Sequence, residues 1–210
     1  MDQVSLTKLI EIARDEGSLV SFPTDTLPAL AVKPENSAEI FKAKGRSSAK
    51  PLILMAADLR TLLPYMKGSD RDRQFWQDTA NQYWPGALTL VLPSSDRVPL
   101  DVHRLNPTSV GVRIPNHPIA QEILRETGVL ATTSANLSGK PPLRTLRRIA
   151  HTFPKVAVLE NEAIAPYVDT LGDAAEKGSG QPSTVAQWTD QGWSIFRQGS
   201  VELGESFSTE

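Results

Sequence analysis

Short apolar runs of strand length recur along this chain with amphipathic segments between them, and that alternation limits the fold more than any other feature. Leu52-Ile53-Leu54-Met55, Ala87-Leu88-Thr89-Leu90-Val91-Leu92 and Val129-Leu130-Ala131 are too short for buried helices and too continuously apolar for strands with one wet face. The segments between them must supply the cover. Helical spacing predicts helices at 5–16, at 70–83, at 119–126 and at 145–150, a helical turn at 59–63, and a helix that ends at Lys44-Gly45. Asn36 and Glu39 have the spacing of a capping box at the start of that last helix. Strands are expected at 19–22, 52–55, 87–92, 109–113 and 129–133, with later ones at 156–159, 184–188 and 193–196. Residues 172–182 read as a mobile loop. The pattern predicts an α/β or α+β sheet protein, and the unequal connections argue against regular double winding.

A chain of 210 residues with 40% apolar content can bury one substantial core, so a single domain over 1–200 with a polar tail at 201–210 is expected. Lys and Arg number 22 against 24 acidic residues, a net charge of -2 that argues against a protein coating nucleic acid and leaves room only for a local basic patch. With no cysteine there is no disulfide framework, thiol nucleophile or thiolate metal site, and three scattered histidines make no zinc site. The first residues are acidic and enter a helix directly, unlike a secretion signal, and no apolar run approaches the length of a membrane span. A soluble, cytoplasmic protein is expected.

Two strings about 90 residues apart stand out as halves of one site: Lys44-Gly45-Arg46 at a helix end and Ser134-Ala135-Asn136 at a strand end. The chain has neither a glycine-rich phosphate loop nor a dinucleotide fingerprint, so phosphate would be held by discrete cations. Lys44, Arg46 and Lys50 lie close enough in sequence to do this, although a solvated basic loop is the plainer reading of the segment alone. Arg113 ends an apolar strand and must leave the core or pair with an acid, either of which is expected at a sheet edge; Arg197 is read likewise. Thr132-Thr133-Ser134-Ala135-Asn136 could hold the polar groups of an amino acid or satisfy its own turn, and Phe22-Pro23-Thr24-Asp25-Thr26 carries the same two readings. His103, His117 and His151 have no partner at ligand spacing. No Ser/His/acid set or catalytic carboxylate pair is recognisable, so the available chemistry is electrostatic.

Taken jointly, Pro23-Thr24-Asp25-Thr26, Lys44-Gly45-Arg46 with Lys50-Pro51-Leu52, Trp84-Pro85-Gly86 with Thr89, Val112-Arg113-Ile114-Pro115 with His117-Pro118, Thr133-Ser134-Ala135-Asn136-Leu137-Ser138-Gly139 and Arg197-Gln198-Gly199 resemble the YrdC-like family of threonylcarbamoyl-AMP synthases. The resemblance runs in order from about residue 6 to residue 199. It implies a YrdC/RibB-like twisted mixed sheet with helices around a concave basic cavity. It further implies a nucleotidyltransferase that makes threonylcarbamoyl-AMP and pyrophosphate from L-threonine, bicarbonate and ATP, for a downstream transferase complex that forms threonylcarbamoyladenosine on tRNA. Mg²⁺ would arrive on the ATP phosphates, with no protein metal site and no tightly bound cofactor. By position, Lys44, Arg46, Ser134 and Asn136 match the family's catalytic tetrad, at which YciO-type paralogues depart. Thr24, Arg113, Thr132, Ser134 and Ser183 would contact threonine, and Lys44, Arg46, Ser48, Lys50, Ser109 and Arg197 would face ATP. The chain departs from the family at Leu27-Pro28-Ala29-Leu30, where a Tyr or Phe and then Gly usually follow the Thr, so a different pocket wall beside the amino acid is expected. Arg144, Arg147 and Arg148 add a cationic helix face, and the alternative is a paralogue that binds RNA or takes another substrate.

Overall fold

The computed structural model describes residues 3–45, 51–103 and 105–204. In chain order the elements are β1 (Gln3–Val4), α1 (Leu6–Arg14), β2 (Val20–Phe22), β3 (Ala29–Val32), α2 (Ala38–Lys44), β4 (Ile53–Met55), α3 (Leu59–Leu62), α4 (Asp70–Tyr83), β5 (Leu88–Pro93), β6 (Ser109–Arg113), α5 (Pro118–Thr127), β7 (Leu130–Ser134), α6 (Leu146–Thr152), β8 (Ala157–Leu159), α7 (Asn161–Leu171), α8 (Ala174–Lys177), β9 (Thr184–Thr189) and β10 (Gly192–Arg197). The strands form one mixed sheet in the order β1-β8-β2-β3-β7-β4-β6-β5-β9-β10. Parallel pairs such as β4 with β6 alternate with antiparallel ones such as β3 with β7, which bears out the mixed sheet and the absence of regular double winding. Strands β2 and β3 are buried at every position and β7 at its first three, as strands covered on both faces must be. Leu9, Phe22, Leu30, Leu54, Leu88 and Leu90 anchor the core.

Local chemistry sets the helix ends. Ser5 accepts from the Lys8 amide to start α1, and Ser69 and Asp72 make a reciprocal capping box for α4. The capping box expected at Asn36 and Glu39 does not form. Asn36 closes a 3-10 turn over Pro34–Asn36, Ser37 takes the cap position with its hydroxyl donated back to the Pro34 carbonyl rather than capping the helix, and Glu39 pairs with Lys42 at 2.6 Å. Proline at the head of the segment favours the tighter turn and shifts the helix cap by one residue, from Asn36 to Ser37. The loop expected at 172–182 contains α8, and its main chain is hydrogen-bonded to residues 25 and 26. Four elements were not anticipated: β1, a two-residue strand; α8; α7, whose interior Pro166 reads as a breaker; and β3, which begins directly after Pro28. Within the stretch read as a tail, Val201 is hydrogen-bonded to Thr184 and Gly204 to the Tyr83 hydroxyl, and 205–210 lie outside the described residues. Among the described residues no helix is long and apolar enough to cross a membrane.

Candidate functional site: a cationic cavity at the strand ends

The topology gathers several strand termini in one place. Because β3 runs against β7, Ala29 lies opposite Ser134, and because β4 runs with β6, Met55 lies opposite Arg113. Around these ends opens a cavity of about 550 Å³. Its lining includes Lys44, Arg113, Thr132, Ser134, Asn136, Ser183 and Arg197, seven of the residues singled out in the sequence, together with an apolar wall of Leu27, Ala29, Ile53 and Met55. No carboxylate appears among the described lining residues, and three cations, Lys44, Arg113 and Arg197, line the space, Arg113 being paired from outside the lining by Asp25.

Lys44 is the last residue of α2, and Gly45 turns the chain sharply there in the left-handed conformation, at φ 56°. The lysine is 2% exposed, not the solvated loop cation that its segment suggested. Its Nζ donates to Thr133 Oγ1 at 3.3 Å, to the main-chain oxygen of Ser134 at 2.5 Å and to Asn136 Oδ1 at 3.0 Å. Ser134 Oγ donates to the same Asn136 oxygen at 2.7 Å, and the Asn136 amide nitrogen donates to the main-chain oxygens of Leu137 and Lys140. The Ser138 amide donates to the Lys44 carbonyl at 3.1 Å, which ties the two loops together. The two strings are therefore halves of one hydrogen-bonded cluster. Arg46, Ser48 and Lys50 lie outside the described residues.

Arg113 sits at the end of β6, an interior strand between β4 and β5, and not at the sheet edge its charge predicted. It is kept there by pairing: its NH2 contacts Asp25 Oδ1 at 2.7 Å, its NH1 donates to Thr26 Oγ1 at 2.7 Å and its Nε to the Gly86 carbonyl at 3.0 Å. These bonds use three of the five N–H donors of a guanidinium that also lines the cavity. Burial lowers the Arg113 pKa, Asp25 opposes that shift, and the charge of Arg197 on the same cavity adds to it. Arg197 donates to the Ser183 carbonyl at 2.9 Å, and Ser183 Oγ lies 2.8 Å from Thr89 Oγ1. Burial lowers the Arg197 pKa as well.

Two expected contacts are not part of the lining. Thr24 is fully buried, and its Oγ1 accepts from the amides of Thr26 and Leu27 while donating to the Leu27 carbonyl, so it shapes the turn beneath the cavity. Ser109 begins β6 at the end opposite Arg113, about 13 Å away along an extended strand. Thr132 lines the space with its hydroxyl already donated to the Ile53 carbonyl. Asp25, Thr26 and Thr133 were not singled out as contacts, yet they hold Arg113 and Lys44 in place. Nothing in their spacing links residue 25 to residue 113, and only the polar string 24–26 hinted at a role.

A strap over residues 178–183 closes one side. Gly178, at φ +60°, lies so near the 24–26 turn that a Cβ would stand 2.4 Å from the Thr24 oxygen and 2.5 Å from that of Thr26. Gly178→Ala is expected to cost about 1–3 kcal/mol by adding this clash to left-handed strain, read as an earlier midpoint in urea unfolding.

The fold and cavity define an α/β protein with a cation-lined cavity at one end of its central strands. The chain belongs to the Sua5/YciO/YrdC family, whose model, described as Telomere recombination, matches residues 13–199. It is 33% identical over 195 residues to the threonylcarbamoyl-AMP synthase of Bacillus subtilis, an alignment that covers 89% of this chain and 51% of that protein. The structure of Sua5 from Pyrococcus abyssi in complex with L-threonine is similar with a TM-score of 0.76 at 29% identity, over 94% of this chain and 56% of that one. Escherichia coli YciO shares the fold with a TM-score of 0.74 at 21% identity, over 96% of this chain and 92% of that one. The chain thus spans about half the length of the Bacillus and Pyrococcus relatives.

Proposed function

We propose that this chain forms threonylcarbamoyl-AMP and pyrophosphate from L-threonine, bicarbonate and ATP. The observation that carries the reading is the cavity, where Lys44, Arg113 and Arg197 line one space together with Thr132, Ser134 and Ser183. Two anions, a triphosphate and an amino-acid carboxylate, must be brought together before a threonine-derived carbamate can attack the α-phosphate. Little covalent help is needed. The difficult part is positioning and charge neutralisation, and a pre-bonded ammonium beside two guanidinium groups supplies both. In this reading Lys44 faces the phosphates, with Arg46, Ser48, Lys50 and Arg197 as further nucleotide contacts, and Ser109, at the far end of β6, is not one of them. Arg113 clamps the threonine carboxylate with its remaining donors, Ser134, Thr132 and Ser183 complete the amino-acid side, and Thr24 supports it from beneath. Asn136 orients Lys44 and Ser134 and does not titrate.

Mg²⁺ belongs to the nucleotide substrate here; among the described residues no cluster of three His, Cys, Asp or Glu side chains could hold a metal. The product is a mixed anhydride that must be passed on, in this reading to a transferase that modifies tRNA in the cytoplasm. The similarity to a synthase and to a threonine-bound structure supports this reading over the RNA-binding alternative. The test is pyrophosphate release with each substrate omitted in turn. The reading predicts release only when ATP, threonine and bicarbonate are all present; release that persists without threonine would contradict it.

A further inference from the structure

His117 takes no part in the chemistry proposed above, yet it is 2% exposed. It caps α5, immediately after the residue whose amide binds Asp25: Asn116 N donates to Asp25 Oδ1 at 3.0 Å. Its Nε2 stands 3.1 Å from the main-chain oxygen of Ala175 in α8. A carbonyl only accepts, so Nε2 carries the proton and Nδ1 is bare; that Nδ1 is buried with no hydrogen-bond partner. Burial holds the imidazole pKa below its ordinary 6.5, opposed by the carbonyls of Ala175 and Ala174 and by the charge of Asp25.

The element that His117 grips leads straight into the cavity. From α8 the chain passes through Gly178 into the strap, where the Ser179 amide donates to the Asp25 carbonyl at 3.0 Å and the Gly180 amide to that of Thr26 at 2.8 Å. Asp25 and Thr26 are the residues that hold Arg113, and Gly180, Pro182 and Ser183 line the cavity. We propose that His117 is a positioning residue for the amino-acid end of the cavity: its bond to Ala175 seats the 174–183 strap on the 24–26 turn, so that Ser183 and Arg113 meet one ligand. The inference rests on the threonine-side role given to those two residues.

The charged groups on the elements packed around His117 are Asp25, neutralised by Arg113, and on α8 Glu176 and Lys177, which are engaged with the Leu146 amide and Asp173. Protonation puts a second donor at Nδ1, where no acceptor stands. Folding favours the neutral ring, so this contribution is complete above pH 6.5 and is lost as the pH falls from there towards the depressed folded value.

Three variants of the full chain separate the parts. His117→Gln can place an amide N–H near the Nε2 position without titrating, His117→Asn donates from nearer Nδ1, and His117→Leu cannot donate. The readouts are the threonine and ATP KM values in the pyrophosphate assay and hydrogen exchange at the Ser179 and Gly180 amides. His117→Leu and His117→Asn should raise the threonine KM about tenfold, leave the ATP KM within about twofold and speed exchange of both amides about tenfold. His117→Gln should stay near the native values and lack the native rise in threonine KM as the pH falls through the depressed folded pKa of His117. Native threonine KM and native exchange rates in all three variants would overturn the proposal, as would equal losses in both KM values. If the native chain shows no threonine-dependent turnover, the functional reading fails, and the exchange rates alone decide on the strap. If the Leu and Asn variants do not fold, native exchange against pH decides. Selective acceleration at Ser179 and Gly180 over the β6 amides on acidification supports the proposal, and a constant ratio overturns it.

Discussion

Lys44→Met is expected to reduce threonine-dependent pyrophosphate release by about a hundred- to a thousandfold, the effect of removing one preorganised charged donor from a site where negative charge develops. Methionine keeps much of the stem volume, so the change isolates the ammonium. That ammonium is held by Ser134 and Asn136, residues 90 and 92 positions away, before any ligand arrives. Such prior ordering makes the charge effective, because little reorganisation is left for the moment of reaction. The burial of Lys44 adds a second consequence. Its removal takes one donor each from the Ser134 carbonyl and Asn136 Oδ1, which keep the Asn136 amide and Ser134 Oγ, so a stability loss of about 1 kcal/mol should accompany the loss of activity. Circular dichroism should show a folded protein with an earlier denaturation midpoint. Activity within tenfold of native would show that Lys44 does not face the reacting phosphate.

Asp25→Asn should be the most destabilising single change near the site, at about 3–5 kcal/mol in urea unfolding, because it strips the counter-charge from a buried guanidinium. The Arg113 and Asp25 side chains are only 4% and 16% exposed, so solvent screens the pair little. The same carboxylate accepts from the Asn116 amide, and its main-chain oxygen accepts from Ser179, so the turn, the end of β6 and the strap loosen together. An Arg113→Leu change in the same background should recover part of the stability, since the uncompensated charge is then gone, but not activity. A loss below about 1 kcal/mol for Asp25→Asn would mean that Arg113 finds adequate compensation from Thr26 and Gly86 alone.

The sheet was legible because its strands carry the pattern of their burial. The strand 109–113 and the helix 70–83 coincide with β6 and α4, where apolar alternation and a Ser-led start leave little choice. Where local signals conflicted, the reading failed. Pro166 hides α7 although Ile164, Tyr167 and Leu171 keep helical spacing, and Pro34 draws the chain into a 3-10 turn where a capping box was expected. The two strings of the site were visible as chemistry but not as neighbours. Their meeting depends on β7 lying between β3 and β4 while α2 connects β3 to β4, a long-range order that no local pattern encodes. Arg113 shows the same limit: its charge demanded a partner, but only the fold chose Asp25.

The departure at Leu27-Pro28-Ala29 also takes a definite form. Leu27 and Ala29 stand in the cavity wall, and the Pro28 carbonyl accepts from the Ala135 amide at 2.9 Å, so the segment supports the 134–136 turn as well as shaping the pocket. With Ile53 and Met55 it forms an apolar patch beside the cations, suited to the methyl-bearing side chain of the proposed amino acid.

The central claim is that this cavity joins threonine, bicarbonate and ATP into one adenylate, and isotope incorporation tests it most directly. The chain is incubated with ATP, threonine and ¹³C-bicarbonate, and the nucleotide products are resolved by mass spectrometry. The account predicts a threonine-dependent adenylate whose mass rises by the single labelled carbon, and its loss in Lys44→Met. AMP or ADP as the only new nucleotide, or an adenylate that carries no label from bicarbonate, would contradict it.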